Sequence, residues 1–445
     1  MKRPNNVISA SLGAAVLAAC GAGNNSLSSS TPVSVAPQIA APLSVGSASQ
    51  RLERSVTRQR GASPSYKSLY SFTGSPDGAA PIGTTLIEVK GNLYGMSSIG
   101  GAHDLGTVFK ITTAGKETVI YSFKGNPDGA GPRGGLIDVN GTLYGTTRYG
   151  GPSGSGCGGN GCGTVFSVTT TGTEKVLHSF GVYNNDGLLP YAGLINVKGT
   201  LYGTTLMGGV SCAASYYGCG TVFEVTTSGT EGVLYSFAGG ADGQTPAASL
   251  IAVHGELYST TESGGTSNDG TVFEVNPSTG AESVLHSFQG GADGAFPDTA
   301  LTDVNGTLYG ATGIGGAKGD GTVFSASTSG TEQVVYSFKG SPDGSAPYGN
   351  LIVVNGLLYG TTSGGGAHVC KQDYDKGCGT VFSASVSGTE QVLYSFAGRP
   401  DGAWPQTNVV DLKGALYGTT VYGGTGKCKT NGRLPGCGTV FELTP

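Results

Sequence analysis

Eight cysteines fall into four pairs: Cys157 with Cys162, Cys212 with Cys219, Cys370 with Cys378, and Cys428 with Cys437. The second member of each pair directly precedes Gly-Thr-Val-Phe. Closely spaced thiols can hold zinc, exchange electrons or cross-link a loop. These pairs enclose four, six, seven and eight residues, which departs from the fixed C-x-x-C geometry of a zinc ribbon or a thioredoxin-like site. An even set of such thiols in an exported chain reads as disulfides. Proximity favours pairing within each loop, although counting alone leaves cross-pairing between neighbouring loops open.

Other reactive residues form weaker patterns. Seven Asp-Gly pairs, at Asp77, Asp128, Asp186, Asp242, Asp293, Asp343 and Asp401, bring calcium to mind, because carboxylates in tight loops are its usual ligands. Each loop offers a single recurring carboxylate, so the expectation is an Asx-type turn that caps local N–H groups, with the glycine at positive φ. His178 and His286 stand in a slot held elsewhere by Tyr, and His254 stands in a hairpin turn. His103 and His368 are too scattered for a zinc site of three or four ligands, so no metal and no cofactor is expected. No G-x-S-x-G in a strand-turn-helix context and no phosphate loop opening a helix is present. A net charge of -5 without a basic cluster gives no footprint for nucleic acid.

The elements that must carry these residues repeat. Gly-Thr-Val-Phe begins at Gly106, Gly163, Gly220, Gly270, Gly321, Gly379 and Gly438, and Ser-Phe ends at Phe72, Phe123, Phe180, Phe237, Phe288, Phe338 and Phe396. Within residues 136–180, "LIDV" and "TLYGTT" flank Asn140-Gly141, a two-residue hairpin signal. "GTVFSVT" and "KVLHSF" follow across a polar turn. Four strands, a to d, in a unit of roughly 50 residues point to a β-propeller. The expected fold is all-β: seven blades of four antiparallel strands over residues 66–445. The LYG tyrosines read as core.

LYGTTxxGG, GTVF and Ser-Phe with Asp-Gly resemble the bacterial GloVer (Gloeo/Verruco) tandem repeat of choice-of-anchor proteins, in a kelch-like layout that lacks the kelch Trp. The resemblance implies architecture and a surface location, and supplies no catalytic residues. The first copy is a lone d strand, residues 67–72, and the last copy stops after "GTVFELTP" without one. Residues 67–72 are therefore expected to pair near Phe441 and close the ring, removing an open edge.

Lys2 and Arg3 precede an apolar stretch, Val7 to Ala19, that is too short to span a bilayer as a helix of about 20 residues. It ends in Leu-Ala-Ala-Cys20 and resembles a lipoprotein signal peptide (1–19) with Cys20 lipidated. Gly21 after it resembles outer-membrane sorting. Residues 20–65, rich in Ser, Ala and Pro, read as a flexible tether.

The a-b turns are uniformly two residues, whereas the b-c loops vary in length, as expected where a scaffold displays a recognition face. The d-a segments share that end. The residues after their prolines should ring the channel mouth: Ile82, Arg133, Tyr191, Ala247, Asp298, Tyr348 and Gln406. Positions where internal copies disagree are free to specify a ligand or simply to fill the mouth. Arg133, Tyr191, Asp298, Tyr348 and Gln406, with Phe296 and Trp404, form the candidate set, suited to a glycan or a peptide. The reading is an envelope-anchored binding module. The alternative is a propeller lyase or hydrolase acting on polysaccharide, for which Asp104, Glu262 or Asp320 would have to converge on the mouth.

Overall fold

The computed structural model describes residues 64–445 apart from 153–156, 184, 211, 213–214, 371–376 and 429–434. The signal segment, Cys20 and all but the last two residues of the tether lie outside the described residues. Seven sheets, each paired in the order a-b-c-d, account for the strands, apart from short pairings that extend the blades at one end. In the second blade these are Ile137–Val139, Thr142–Gly150, Thr164–Thr169 and Glu174–Ser179. Among the described residues the only helix is the 3-10 turn Gly240–Asp242, and no helix is long and apolar enough to cross a membrane.

Local chemistry explains the blades. Both residues of each a-b turn take positive φ, for instance Asn140 at 54° and Gly141 at 84°, the geometry that matches strand twist. At the far ends of strands b and c, buried hydroxyls meet at 2.8 Å, Thr147 with Thr164 and Ser97 with Thr107 among them, so each satisfies a polar atom that would otherwise be stranded. The LYG tyrosines are buried, as expected.

Blades adhere through phenylalanine. The Ser-Phe ring of each d strand meets the GTVF ring of the next blade edge-on: Phe123 on Phe166 at 5.1 Å, Phe180 on Phe223 at 5.0 Å, Phe396 on Phe441 at 5.3 Å. All of these rings are fully buried. Each such pair contributes roughly 0.5–1.5 kcal/mol beyond the area it buries.

The ring closes as expected. Ser65–Ser71 pairs antiparallel with Thr439–Thr444, Ser68 lying opposite Phe441. The strand begins two residues before Lys67, so Ser65 and Tyr66 belong to the sheet, Ser65 having been assigned to the tether by composition. This N-terminal strand is the d strand of the seventh blade, and Phe72 packs on Phe109 of the first at 5.1 Å.

The Asp-Gly carboxylates cap local backbone: Asp128 accepts from Lys124 N at 2.9 Å and Gly129 N at 2.6 Å. The expectation of positive φ at the following glycine holds only for Gly243 (98°) and Gly294 (106°). Elsewhere glycine is required by close approach, since a Cβ on Gly129 would lie 2.5 Å from Thr147 Cγ2.

Candidate functional site at the channel mouth

Four disulfides, Cys157–Cys162, Cys212–Cys219, Cys370–Cys378 and Cys428–Cys437, each close one b-c loop. The second cysteine of each is buried. The same position holds Leu105, Asp269 and Asp320 in the blades without a pair. At all seven, the backbone carbonyl accepts from an N–H of the d-a segment that enters the next blade: Leu105 O from Gly131 N at 2.8 Å, Cys162 O from Leu189 N at 2.8 Å, Cys378 O from Trp404 N at 2.9 Å. The disulfides thus brace the loops that hold the mouth.

Those d-a residues share a left-handed backbone. Ala80 (48°), Leu189 (57°), Thr245 (59°), Phe296 (56°), Ala346 (51°) and Trp404 (57°) all take positive φ, and the seventh position is Gly131 (58°). For a residue with a Cβ this costs roughly 1–2 kcal/mol. Glycine would relieve the strain, yet six positions keep a side chain. Strain retained in this way clusters at ligand-binding places.

Two residues further on stands the post-proline ring, half-buried at Ile82, Arg133, Tyr191, Asp298, Tyr348 and Gln406 and buried at Ala247. Arg133 Nη1 donates to Tyr191 Oη at 2.9 Å, and its guanidinium lies 5.3 Å from the Tyr191 ring centroid. Arg148, at the end of strand b, approaches the same ring at 5.6 Å and that of Tyr149 at 5.2 Å. One arc of the mouth is therefore cationic and aromatic.

A second group is acidic. Asp298 is half-buried, while its Oδ1 is shut off from solvent and has no partner. Burial, reinforced by the nearby Glu262, pushes the Asp298 carboxyl well above the usual carboxylate range. Burial also raises Glu262. The Tyr348 phenol is pushed up by burial, then by Asp298 and Glu262, which places it beside both; its ring covers Gly313. Among the described residues, no ion pair joins Arg133 or Arg148 to Asp298 or Glu262.

Arg148 Nε, in the first group, and Trp404 Nε1 are also buried without a partner. Trp404 packs on Tyr422 with centroids 5.4 Å apart. Residues from several blades, Thr85, Gly135, Gly193, Ser249, Asn350 and Asn408 among them, line a separate small cavity, where Gly193 N donates to Ser249 Oγ at 3.0 Å. With the ends of strand b, the post-proline ring thus combines a cationic, aromatic group (Arg133, Arg148, Tyr191) with an acidic, aromatic one (Asp298, Glu262, Tyr348).

Of the sequence candidates, Arg133 with Tyr191 and Asp298 with Tyr348 are brought together, and Glu262 joins the second group. Gln406 lies half-buried on the ring, and Phe296 lies on the strained ring with Trp404. Asp104 serves its own loop, accepting from Gly100 N at 2.9 Å, and Asp320 lies against Gly340. His103 and His368 are exposed on loops. Sequence reasoning missed Arg148, although its equivalents Ser98, Leu206, Glu262, Gly313, Ser363 and Val421 also disagree from copy to copy.

Solved structures of similar shape include a nidogen/laminin complex, 14% identical over 55% of this chain and 75% of that one with a TM-score of 0.35. Another is oligogalacturonate lyase in complex with manganese, 12% identical over 86% of this chain and 96% of that one, with a TM-score of 0.47. Likeness at this level carries no argument about substrate. No curated protein matches the sequence. A profile of the Gloeobacter/Verrucomicrobia repeat matches residues 55–213 and 155–372, well over half the chain, and the copies it covers are blades of this ring; the chain belongs to the Gloeobacter/Verrucomicrobia repeat family.

Proposed function

We propose that the protein is an exported, envelope-anchored binding module whose channel mouth takes a glycan. The observation that carries this reading is the cluster of Arg133, Arg148 and Tyr191, with Arg133 Nη1 bonded to Tyr191 Oη at 2.9 Å and both guanidinium groups over the Tyr191 ring. Arg148 Nε there is buried without a partner, and since buried polar atoms are nearly always satisfied it calls for a partner from outside. Sugar hydroxyls donate and accept at once, and sugar faces stack on aromatic rings. Four disulfides fit an exported chain. The small residues before Cys20 support a lipid anchor, and Gly21 supports an outer-membrane or cell-surface location; labelling with a fatty acid that disappears in Cys20→Ser tests the anchor.

One observation favours a second reading. Asp298, whose carboxyl burial and the nearby Glu262 push well above the usual carboxylate range, forms with Glu262 a carboxyl pair of the kind that does general acid and base work, so a polysaccharide lyase or hydrolase is the alternative. A glycan and peptide array, followed by incubation of each hit with the protein and analysis of products, separates the two. Binding without cleavage, lost in Tyr191→Ala and Arg148→Ala, supports the module. Products released by the wild type and absent with Asp298→Asn support the enzyme. Binding that survives both former substitutions removes the Arg148 and Tyr191 cluster from consideration.

A further inference from the structure

Around the outer girdle, each blade interface joins three side chains: the aromatic residue before Ser-Phe, the Asp of the following Asp-Gly, and the residue that starts strand d of the next blade. At five interfaces the aromatic is Tyr, and its hydroxyl donates to the Asp: Tyr70 to Asp77 at 2.8 Å, Tyr121 to Asp128 at 2.8 Å, Tyr235 to Asp242 at 2.5 Å, Tyr336 to Asp343 at 2.9 Å and Tyr394 to Asp401 at 3.0 Å. At the other two it is His. An imidazole reaches less far than a phenol, and a gap opens between it and the acids.

Between the second and third blades, His178 Nε2 faces Asp186 Oδ2 at 3.4 Å and Glu231 Oε2 at 3.9 Å. These exceed the 2.7–3.2 Å of a normal N–H···O bond, and His178 Nε2 has no hydrogen-bond partner. The His178 and Asp186 side chains are only 8% and 2% exposed and that of Glu231 11%. Asp186 Oδ1 and Glu231 Oε1 are likewise buried without partners, while Asp186 Oδ2 accepts from Gly181 N at 2.8 Å. Each residue presents one ligand atom, all within 4.8 Å of one another.

We infer that His178, Asp186 and Glu231 form a binding site for a divalent metal ion of the zinc class, clamping the second blade to the third. Bonds of about 2.0–2.2 Å from a tetrahedral zinc ion set its ligands roughly 3.3–3.5 Å apart, the spacing of the imidazole and Asp186, and a small inward shift brings Glu231 to the same distance. Two carboxylates and a neutral imidazole carry a charge that a divalent cation balances. Imidazole in the set selects the zinc group over calcium or magnesium, which prefer oxygen alone. Three protein ligands leave one position for water. The same donors on the same elements recur between the fourth and fifth blades, where His286 Nε2 lies 3.3 Å from Asp293 Oδ2 with Glu332 beside them. That site is more open and should bind less tightly.

The fold supplies its own controls, since His178→Tyr and His286→Tyr install the residue found at the other five interfaces. The full chain, prepared without a histidine tag and freed of metal with EDTA, would be titrated calorimetrically with Zn2+, and Co2+ uptake followed by its visible absorption. Two equivalents of Zn2+ are expected for the wild type, one for each Tyr variant and none for the double variant, with a melting temperature that rises on adding Zn2+ only where a site remains. Glu231→Gln, which keeps shape and volume, should weaken the tighter site at least tenfold. A wild type that takes up no Zn2+ at about 100 µM overturns the inference. Unchanged stoichiometry in His178→Tyr, or unchanged affinity in Glu231→Gln, overturns it equally.

Discussion

Tyr66 stacks on Tyr394 with ring centroids 3.8 Å apart and planes within 6°, and its hydroxyl donates to Asp401 Oδ1 at 2.6 Å. At the six other blade interfaces the residue in this place is a glutamate: Glu117, Glu174, Glu231, Glu282, Glu332 and Glu390. The N-terminal strand, which joins the seventh blade without a covalent link to its sheet neighbour, is therefore tied to the sixth blade by an aromatic lock where the other interfaces carry an acid. The difference is physically apt. A seam without covalent continuity must hold against fraying from the N-terminal side, and a stacked, hydrogen-bonded pair holds more strongly than two neighbouring carboxyls.

Tyr66→Ala should accordingly cost roughly 2–4 kcal/mol, by loss of ring packing and of one charge-assisted hydrogen bond. Tyr66→Glu reproduces the other interfaces and should fold with a smaller loss. Deleting residues 64–72 should unfold or oligomerise the ring by baring the strand Thr439–Thr444. Urea unfolding and light scattering check all three; a deletion that stays monomeric with unchanged melting defeats the lock.

The interface glutamates give stability a pH dependence. Burial first, then the neighbouring Asp77, Asp128 or Asp343, raises Glu117, Glu174 and Glu390 from the ordinary 4.5 to about 7. Tyr70 stands at the first of these clusters, Tyr121 with Lys124 at the second, and Tyr336 with Lys339 at the third. A raised carboxyl binds its proton more tightly folded than unfolded, so its contribution is complete below about pH 4.5 and is lost as pH rises through about 7. After discounting for solvent access, the melting temperature should fall by roughly 2–5 °C between about pH 5 and pH 8. The triple change of these residues to Gln should flatten that slope; an equal slope in the triple variant counts against the assignment.

Repeats made the fold legible. Seven copies of Gly-Thr-Val-Phe and two-residue turns such as Asn140-Gly141 specify strands and register through local chemistry, and the unmatched end copies specify the closure. Arg133, Tyr191, Asp298 and Tyr348 stand out in sequence as well, because they differ where their surroundings agree, but that Arg133 meets Tyr191 is visible only in space. The interface clusters were not legible. Tyr121, Asp128 and Glu174 belong to different words of different copies, and only the twist that carries one d strand past the next brings them together. For the same reason His178 reads in sequence as a variant of Tyr, and its two acidic neighbours become visible only in space.

Each disulfide closes a short loop and should contribute roughly 2–3 kcal/mol in the chain-entropy account. Cys157→Ser with Cys162→Ser removes one from the second blade. The expected result is a drop in stability of that order, with greater protease sensitivity at residues 150–163, because Cys162 O also holds Leu189 N at 2.8 Å. Peptide mapping without reduction should recover the four intra-loop pairs; cross-linked loops of neighbouring blades would contradict the connectivity found here.

The strained ring separates structure from binding. Thr245 is β-branched and sits at φ 59°, the least tolerated combination among the seven positions. Thr245→Gly removes the left-handed penalty of roughly 1–2 kcal/mol and adds back unfolded-chain entropy of roughly 0.5–1 kcal/mol, so it should be neutral to mildly stabilising. Trp404→Gly gains the same relief, but it loses the packing on Tyr422 and the buried Nε1, and it should abolish ligand capture on the array that Thr245→Gly leaves intact. If both variants bind as the wild type does, the side chains at this ring are spacers and the strain has a purely architectural cause. If Thr245→Gly is destabilised by more than about 1 kcal/mol, the left-handed backbone is not the strain it is taken to be.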